Sequence, residues 1–334
     1  MQLLRIKIHK KGAVPIKRRR REKFDIMKPY KLQRWVEITT NVGYSNMCLY
    51  CPQKKLIKTY FAEKRPANMS FRMFKKYLRQ IPKKMDICFT GLSEPLLNKD
   101  AIKMIKYASE KGYNVHLYTT FRNASLKEIK SLKNIEIKTF VIHLPDKNNL
   151  MTLQVNEEYL KKLDLFQKFD FSNVTYMCIG EVHPDIKRII KTDIQESPVN
   201  FRAGNVEKQN YEKIKNSNVI LMDSCFKEYR TEQKVICNRR FLYRGKDEAV
   251  TLPEATILLP DGSLILCCMD WGMEYVLGNL NENTYDEIVH SENMKKIQDS
   301  MMCKNNMDLL CRKCEYSELY DEKKWKDFLK NSEC

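Results

Sequence analysis

Nowhere does this 334-residue chain hold an apolar run near the ~20 residues that a helix needs to cross a bilayer. At its N-terminus, Met1-Gln2-Leu3-Leu4-Arg5-Ile6-Lys7 meets charge before the apolar stretch of a signal peptide can form. Both absences argue against a membrane-spanning or exported chain, and a cytoplasmic one is expected. Histidine is scarce, with five residues in all, and neither His143 nor His183 shares ligand spacing with a second ligand, which disfavours a histidine-held metal. There is no internal repeat, and the one compositionally biased segment is the N-terminal arm. Of residues 1–34, thirteen are Lys or Arg and two are acidic, so the arm supplies +11 of a net charge of +18. Gly12-Ala13-Val14-Pro15 leading into Lys17-Arg18-Arg19-Arg20-Arg21 reads as an irregular basic tail, open to a phosphate-bearing substrate, nucleic acid or an anionic membrane surface. Its plainest reading is a solvated extension. No aromatic stacking platform accompanies the charges, so nucleic acid is a disfavoured partner.

The chain is long enough for one large domain or two modest ones, each with a core. Its twelve cysteines do not suit a disulfide framework in a reducing compartment, and a spacing such as Cys311-x2-Cys314 favours metal. From Trp35 onward, strand and helix alternate. Strands are expected at Trp35–Thr39, Met85–Thr90, Asn114–Tyr118, Glu136–His143 and Val174–Ile179. Helices are expected after Ser70, with Phe71, Phe74, Leu78 and Ile81 on one face, and at Asp100–Lys111, Ser125–Leu132 and Glu157–Phe166, followed by a weaker unit over Asp185–Phe201. Repeated βα units imply an α/β fold with a parallel sheet whose functional loops lie at the strand C-termini. After a polar stretch at Lys208–Ser217 the character changes. Thr256–Leu259 and Leu264–Cys267 flank Pro260-Asp261-Gly262-Ser263 as a β-hairpin, and Thr284-Tyr285-Asp286-Glu287 has capping-box form before a helix with Ile288, Met294, Ile297 and Met301 on its apolar face. The expected division is a basic extension over 1–32, a barrel over 33–215 and a smaller module over 216–334.

Cys48-x2-Cys51 alone is equally half of a zinc site or two thiols with no ligand role. The loop follows the first strand, however, Tyr50 precedes its last cysteine and Pro52 follows. With a cysteine in place of Tyr44, residues 44–51 would read C-x3-C-x2-C. The loop thus resembles the cluster-binding segment of the radical S-adenosylmethionine (radical SAM) superfamily, in which three thiolates hold a [4Fe–4S] cluster whose fourth iron binds SAM. The resemblance makes Cys48, Cys51 and the Tyr44 position the metal site. A phenolate is a hard, bulky replacement for thiolate. Tyr44 therefore leaves weak phenolate ligation, a substitute ligand such as Cys88, or a labile or absent cluster; the favoured origin is a single change from a cysteine parent.

Thr90-Gly91-Leu92-Ser93-Glu94-Pro95 after the second strand resembles the family's G-x-G-E-P segment, with Ser93 in place of its second glycine. The resemblance makes Tyr50, Gly91, Ser93, Glu94 and Pro95 cofactor contacts, joined by Thr119 and Thr120 toward the SAM ribose or carboxylate and by Gly180 toward the adenine. His143 and His183 end the fourth and fifth strands and face the barrel mouth as substrate-orienting groups. Arg202 is equally a bidentate anion binder or a partner for a barrel acid. In the C-terminal part, Cys237, Gly262-x4-Cys267 and Cys311-x2-Cys314 resemble the shortened SPASM, or twitch, module that holds one auxiliary [4Fe–4S] cluster. The same four cysteines taken by themselves suit zinc. Cys225, Cys268, Cys303 and Cys334 are not assigned as ligands, and residues 316–330 read as a final helix beyond the resemblance.

The resemblance thus implies a partial (β/α)6 radical SAM barrel followed by a small α+β twitch-like module. Its cofactors would be SAM and two clusters, and its electron donor a flavodoxin or ferredoxin. The implied activity is hydrogen abstraction from, and oxidation of, a sugar, cyclitol or nucleotide-linked sugar. Peptide or protein modification and a non-catalytic Fe–S or SAM-binding scaffold are the alternatives.

Overall fold

The computed structural model describes residues 35–43, 47–222, 233–237, 242–243, 249–250, 255–321 and 323. The basic arm, Tyr44, Cys225 and Cys334 lie outside the described residues.

Six strands, β1 (Trp35–Ile38), β2 (Asp86–Phe89), β3 (Val115–Thr119), β4 (Thr139–Leu144), β5 (Val174–Ile179) and β6 (Ile194–Ser197), lie side by side in chain order and all run parallel. The connections carry α1 (Gln53–Tyr60), α2 (Phe71–Leu78), α3 (Ala101–Glu110), α4 (Leu126–Leu132), α5 (Glu157–Gln167) and α6 (Pro184–Ile189). The caps expected from sequence form. Ser70 Oγ accepts the Met73 N–H at 3.2 Å, and Ser125 and Glu128 close a reciprocal capping box. Strand side chains alternate between two faces. Val36, Ile38, Ile87, Phe89, Val115, Leu117, Phe140, Ile142 and Leu144 pack in one core with the helices. Glu37, Cys88, His116 and His143 are the intervening residues and turn to the other face. Burial of α2 alone, through Phe74, Tyr77 and Leu78, contributes about 1.5–3 kcal/mol per large side chain.

The later chain contributes α7 (Lys208–Lys215), β7 (Val235–Cys237), the short pair β8 (Leu242–Tyr243) and β9 (Ala249–Val250), then β10 (Ala255–Leu258), β11 (Ser263–Ile265) and β12 (Val276–Asn279). β10 and β11 form the expected antiparallel hairpin, with Ile257 opposite Ile265 and with Gly262 at φ +92° in the turn. The hairpin does not stand apart from the barrel sheet. β10 pairs in parallel with the free side of β1, Trp35 against Ala255 through Ile38 against Leu258, so the described residues form a nine-stranded sheet ordered β12-β11-β10-β1-β2-β3-β4-β5-β6.

Three local expectations differ. The polar stretch at 208–215 is helix α7, held by one fully buried residue, Ile214. The single helix expected after Thr284 is two, α8 (Tyr285–Val289) with its Thr284–Glu287 capping box and α9 (Glu292–Met301) capped anew by Ser291. The helix expected from residue 316 is at its start a strand, β13 (Ser317–Leu319), antiparallel to β7 with Ser317 opposite Cys237.

Candidate functional site

The loop after β1 carries Cys48 and Cys51 into α1. The Cys51 N–H donates to the Cys48 carbonyl at 3.0 Å and the Gln53 N–H to the Cys51 carbonyl at 2.8 Å, a tight turn that sets the two thiols side by side. Two outside contacts pin it. The Leu49 N–H donates to the Leu150 carbonyl at 2.7 Å, and Gln53 Nε2 donates to the Leu92 carbonyl at 2.6 Å. The Leu150 turn is itself organised by buried Asp146, whose carboxylate accepts the N–H groups of Asn148, Leu150 and Met151 at 2.8–2.9 Å. Sequence reasoning passed over Asp146. Its signal is an aspartate just past a strand end, where a carboxylate organises the turn that follows it.

The two thiols are electrostatically unequal. The hydrogen bond to Cys51, then burial, pushes Cys48 well up, while the same hydrogen bond brings Cys51 down to about 7 against its burial, with Arg202 assisting. Cys48 is thus the donor and Cys51 the thiol that ionises first. The Arg202 guanidinium lies 6.0 Å from the Tyr50 ring centre, and Tyr50 Oη stands 3.4 Å from His143 Nε2. Burial, and after it Arg202, lowers His143 to about 4, so the imidazole is neutral near neutral pH. Cys48, Tyr50, Cys51, His143 and Arg202 thus meet at one place. Arg202 and Ala203 both adopt left-handed backbone, φ +52° and +56°, an unfavourable conformation for residues with a Cβ. Glu315 holds it: its buried carboxylate accepts the Phe201 N–H at 2.9 Å and the Ala203 N–H at 2.8 Å.

The other expected cofactor contacts are arranged differently. Gly91 sits at φ +71°, and a Cβ there would lie 2.1 Å from Thr39 Oγ1, so this glycine is required by close approach. Glu94 is buried and turned inward. Its Oε1 accepts from Thr119 Oγ1 at 2.6 Å and from the Leu96 N–H at 3.2 Å, and its Oε2 from the Thr120 N–H and Oγ1, both at 2.7 Å. Glu94, Thr119 and Thr120 therefore bind one another, and Pro95 starts the short helical turn that Glu94 caps. Ser93 Oγ is buried with no hydrogen-bond partner among the described residues. Gly180, at φ +90°, donates its N–H to the Ser197 carbonyl at 2.8 Å. His183 Nδ1 accepts the Asp185 N–H at 3.3 Å, which makes that nitrogen the cap of α6. Cys88 is buried beside Glu37 and Asp86, both of which push its thiol further up after burial itself.

In the C-terminal part, Cys237 ends β7, Cys267 follows β11, Cys311 lies within the short helical turn Leu310–Arg312, and Cys314 follows that turn before β13. Burial first, then the adjacent thiols Cys311, Cys237 and Cys267, drive Cys314 well up. The four expected ligands have been brought together, and none is in a disulfide. Among the described residues no three His, Cys, Asp or Glu side chains are placed to hold a single metal ion. The soft, all-thiol donor set suits iron–sulfur chemistry. Asp270 orders the loop after Cys267 by accepting the Glu274 and Tyr275 N–H groups at 2.8 and 2.9 Å, while its burial raises it to about 6. Lys55 of α1 ties that loop to the barrel, donating to Glu274 Oε1 and to Asn205 Oδ1, each at 2.7 Å.

Residues 252–315 match the SPASM family, described as an iron–sulfur cluster-binding domain. No curated protein matches the chain. Among solved structures, BtrN in complex with AdoMet and 2-DOIA superposes at a TM-score of 0.50 with 15% identity, covering 87% of this chain and 98% of BtrN. SuiB of Streptococcus suis bound to S-adenosylmethionine gives a TM-score of 0.51 with 13% identity over 80% of this chain and 68% of SuiB, and SuiB has also been solved with precursor peptide SuiA. The chain therefore shares the parallel-stranded partial-barrel fold of these AdoMet-bound structures, and its residues 252–315 match the SPASM iron–sulfur cluster-binding domain.

Proposed function

We propose that the chain is a radical SAM enzyme that binds a SAM-cleaving [4Fe–4S] cluster at the Cys48–Cys51 loop and an auxiliary [4Fe–4S] cluster at Cys237, Cys267, Cys311 and Cys314. The observation that carries this reading is the convergence of those four thiols in a SPASM-type module joined to a barrel whose first strand leads into Cys48 and Cys51. When bound and reduced, the first cluster supplies the electron that cleaves SAM to a hydrogen-abstracting radical. The chain's own residues position and shield. Neutral His143 offers a hydrogen bond without charge, Arg202 presents a half-buried cation to an anionic group, and Tyr50 closes the wall between them.

The substrate class proposed is a sugar, cyclitol or nucleotide-linked sugar oxidised at an alcohol carbon, with a flavodoxin or ferredoxin as reductant. Its support is the likeness to BtrN, solved with AdoMet and 2-DOIA. The likeness to SuiB, solved with a precursor peptide, favours peptide modification as the second reading. Tyr44 takes the place of the third thiolate, so the chain as it stands cleaves SAM poorly and Tyr44→Cys restores cleavage. The test is 5′-deoxyadenosine formation from SAM and dithionite by the two reconstituted proteins. Equal rates would show that another ligand serves; no product from either would leave an Fe–S or SAM-binding scaffold as the surviving reading.

A further inference from the structure

An open cavity of about 290 Å³ lies between the turn after β3 and the first turns of α5. Its walls include Arg122 and Asn123 from the turn, Gln154 from the preceding loop, and Glu158, Tyr159 and Lys162 from α5. Two donors there are buried and unanswered. Tyr159 is 3% exposed, yet its hydroxyl has no hydrogen-bond partner among the described residues, and Arg122 Nη1 is buried without one there too. Lys162 differs, since its Nζ lies 2.8 Å from Glu158 Oε1 and 3.4 Å from the Arg122 carbonyl. A buried guanidinium N–H and a buried phenol O–H left unpaired are costly unless something accepts from both. An acceptor that suits a guanidinium is an oxoanion, which can receive two or more N–H and O–H groups at once.

Tyr159 packs in the helix-side core with Phe140, Ile142 and Leu144, whereas His143, between the last two, faces the other way to meet Tyr50. We propose that this cavity binds the phosphate or carboxylate group of a small metabolite, held by the Arg122 guanidinium and the Tyr159 hydroxyl.

The test is calorimetric titration of the full chain with inorganic phosphate and with malonate, at matched ionic strength in chloride. One saturable site is expected for at least one of them, and the tighter of the two identifies the ligand as phosphate- or carboxylate-bearing. Arg122→Gln should weaken binding about 10- to 100-fold, the value of a charged hydrogen bond, and Tyr159→Phe about fivefold, that of a neutral one. Lys161→Gln, on the exposed face of α5, should leave it unchanged. If Arg122→Gln fails to fold, Tyr159→Phe still decides, because it keeps the packed ring. No saturable binding, binding indifferent to both substitutions, or displacement by S-adenosylhomocysteine would each overturn the proposal, the last by placing the cavity within the cofactor site.

Discussion

The Glu315 carboxylate accepts the backbone N–H of Ala203 at 2.8 Å and thereby fixes, from the residue after Cys314, the loop that aims Arg202 at Cys51. Its second oxygen takes the Phe201 N–H, and Tyr316 Oη accepts from Asn200 Nδ2 at 3.0 Å. Glu315→Ala would leave two buried N–H groups unpaired around a backbone that already favours glycine. We expect a loss of roughly 3 kcal/mol, the scale for removing a buried charged acceptor, with a smaller loss for Glu315→Gln. Urea denaturation measures it. Limited proteolysis reads the same loosening as faster cleavage near residues 200–207.

Gly91→Ala should be among the most damaging single-methyl additions in the chain. The new Cβ meets Thr39 Oγ1 at 2.1 Å at a φ that disfavours any side chain, so a cost of about 2–4 kcal/mol is expected from clash and backbone strain together. Thr39→Ala removes the struck atom and leaves the strain. In a double-mutant cycle the pair should therefore be less than additive; strict additivity would show that Thr39 is not what Gly91 avoids.

His143 gives the metal-free chain a defined acid sensitivity. Its folded value of about 4 lies below the usual ~6.5 of an unfolded histidine, so the folded state binds fewer protons between those values. Stability from this residue is complete above about pH 6.5 and falls as pH drops toward 4, by at most on the order of 3 kcal/mol. Unfolding free energies measured from pH 7 to pH 4 should decline more steeply for the native chain than for His143→Gln. Parallel curves would sink the assignment.

Loss of one auxiliary thiol should lower iron content by one cluster, about four irons per chain, on replacing Cys311 or Cys314 by alanine in the reconstituted full-length protein. Replacing Cys303, which is exposed, should change nothing. The full chain is the right vehicle, because a fragment starting at 216 would strip β10 of its parallel partner β1.

The βα alternation was legible because buried parallel strands read as short apolar runs, and the helices announced by Ser70, Ser125 and Thr284 begin where those caps stand. The set Cys237, Cys267, Cys311 and Cys314 came from a resemblance rather than from spacing alone, and in the structure the first three lie near Cys314. Two helices were not. α1 starts at Pro52 with no side-chain cap, and α7 buries only Ile214, so neither shows a start signal joined to a clear apolar stripe. Strand-end residues read as cofactor or substrate contacts were the hardest to judge. Glu94 with Thr119 and Thr120, and His183 with Asp185, satisfy one another across distances or turns that no local pattern displays.

The placement of β1 between β2 and β10 also sets an order of assembly. One neighbour follows within the next turn of the barrel, but the other is residues 255–258. During synthesis β1 therefore waits as an open edge until most of the chain has left the ribosome, and such long-range pairing is slow to form. The loop bearing Cys48 and Cys51 hangs from that strand, so its cradle stays unfinished until residues 255–258 have emerged.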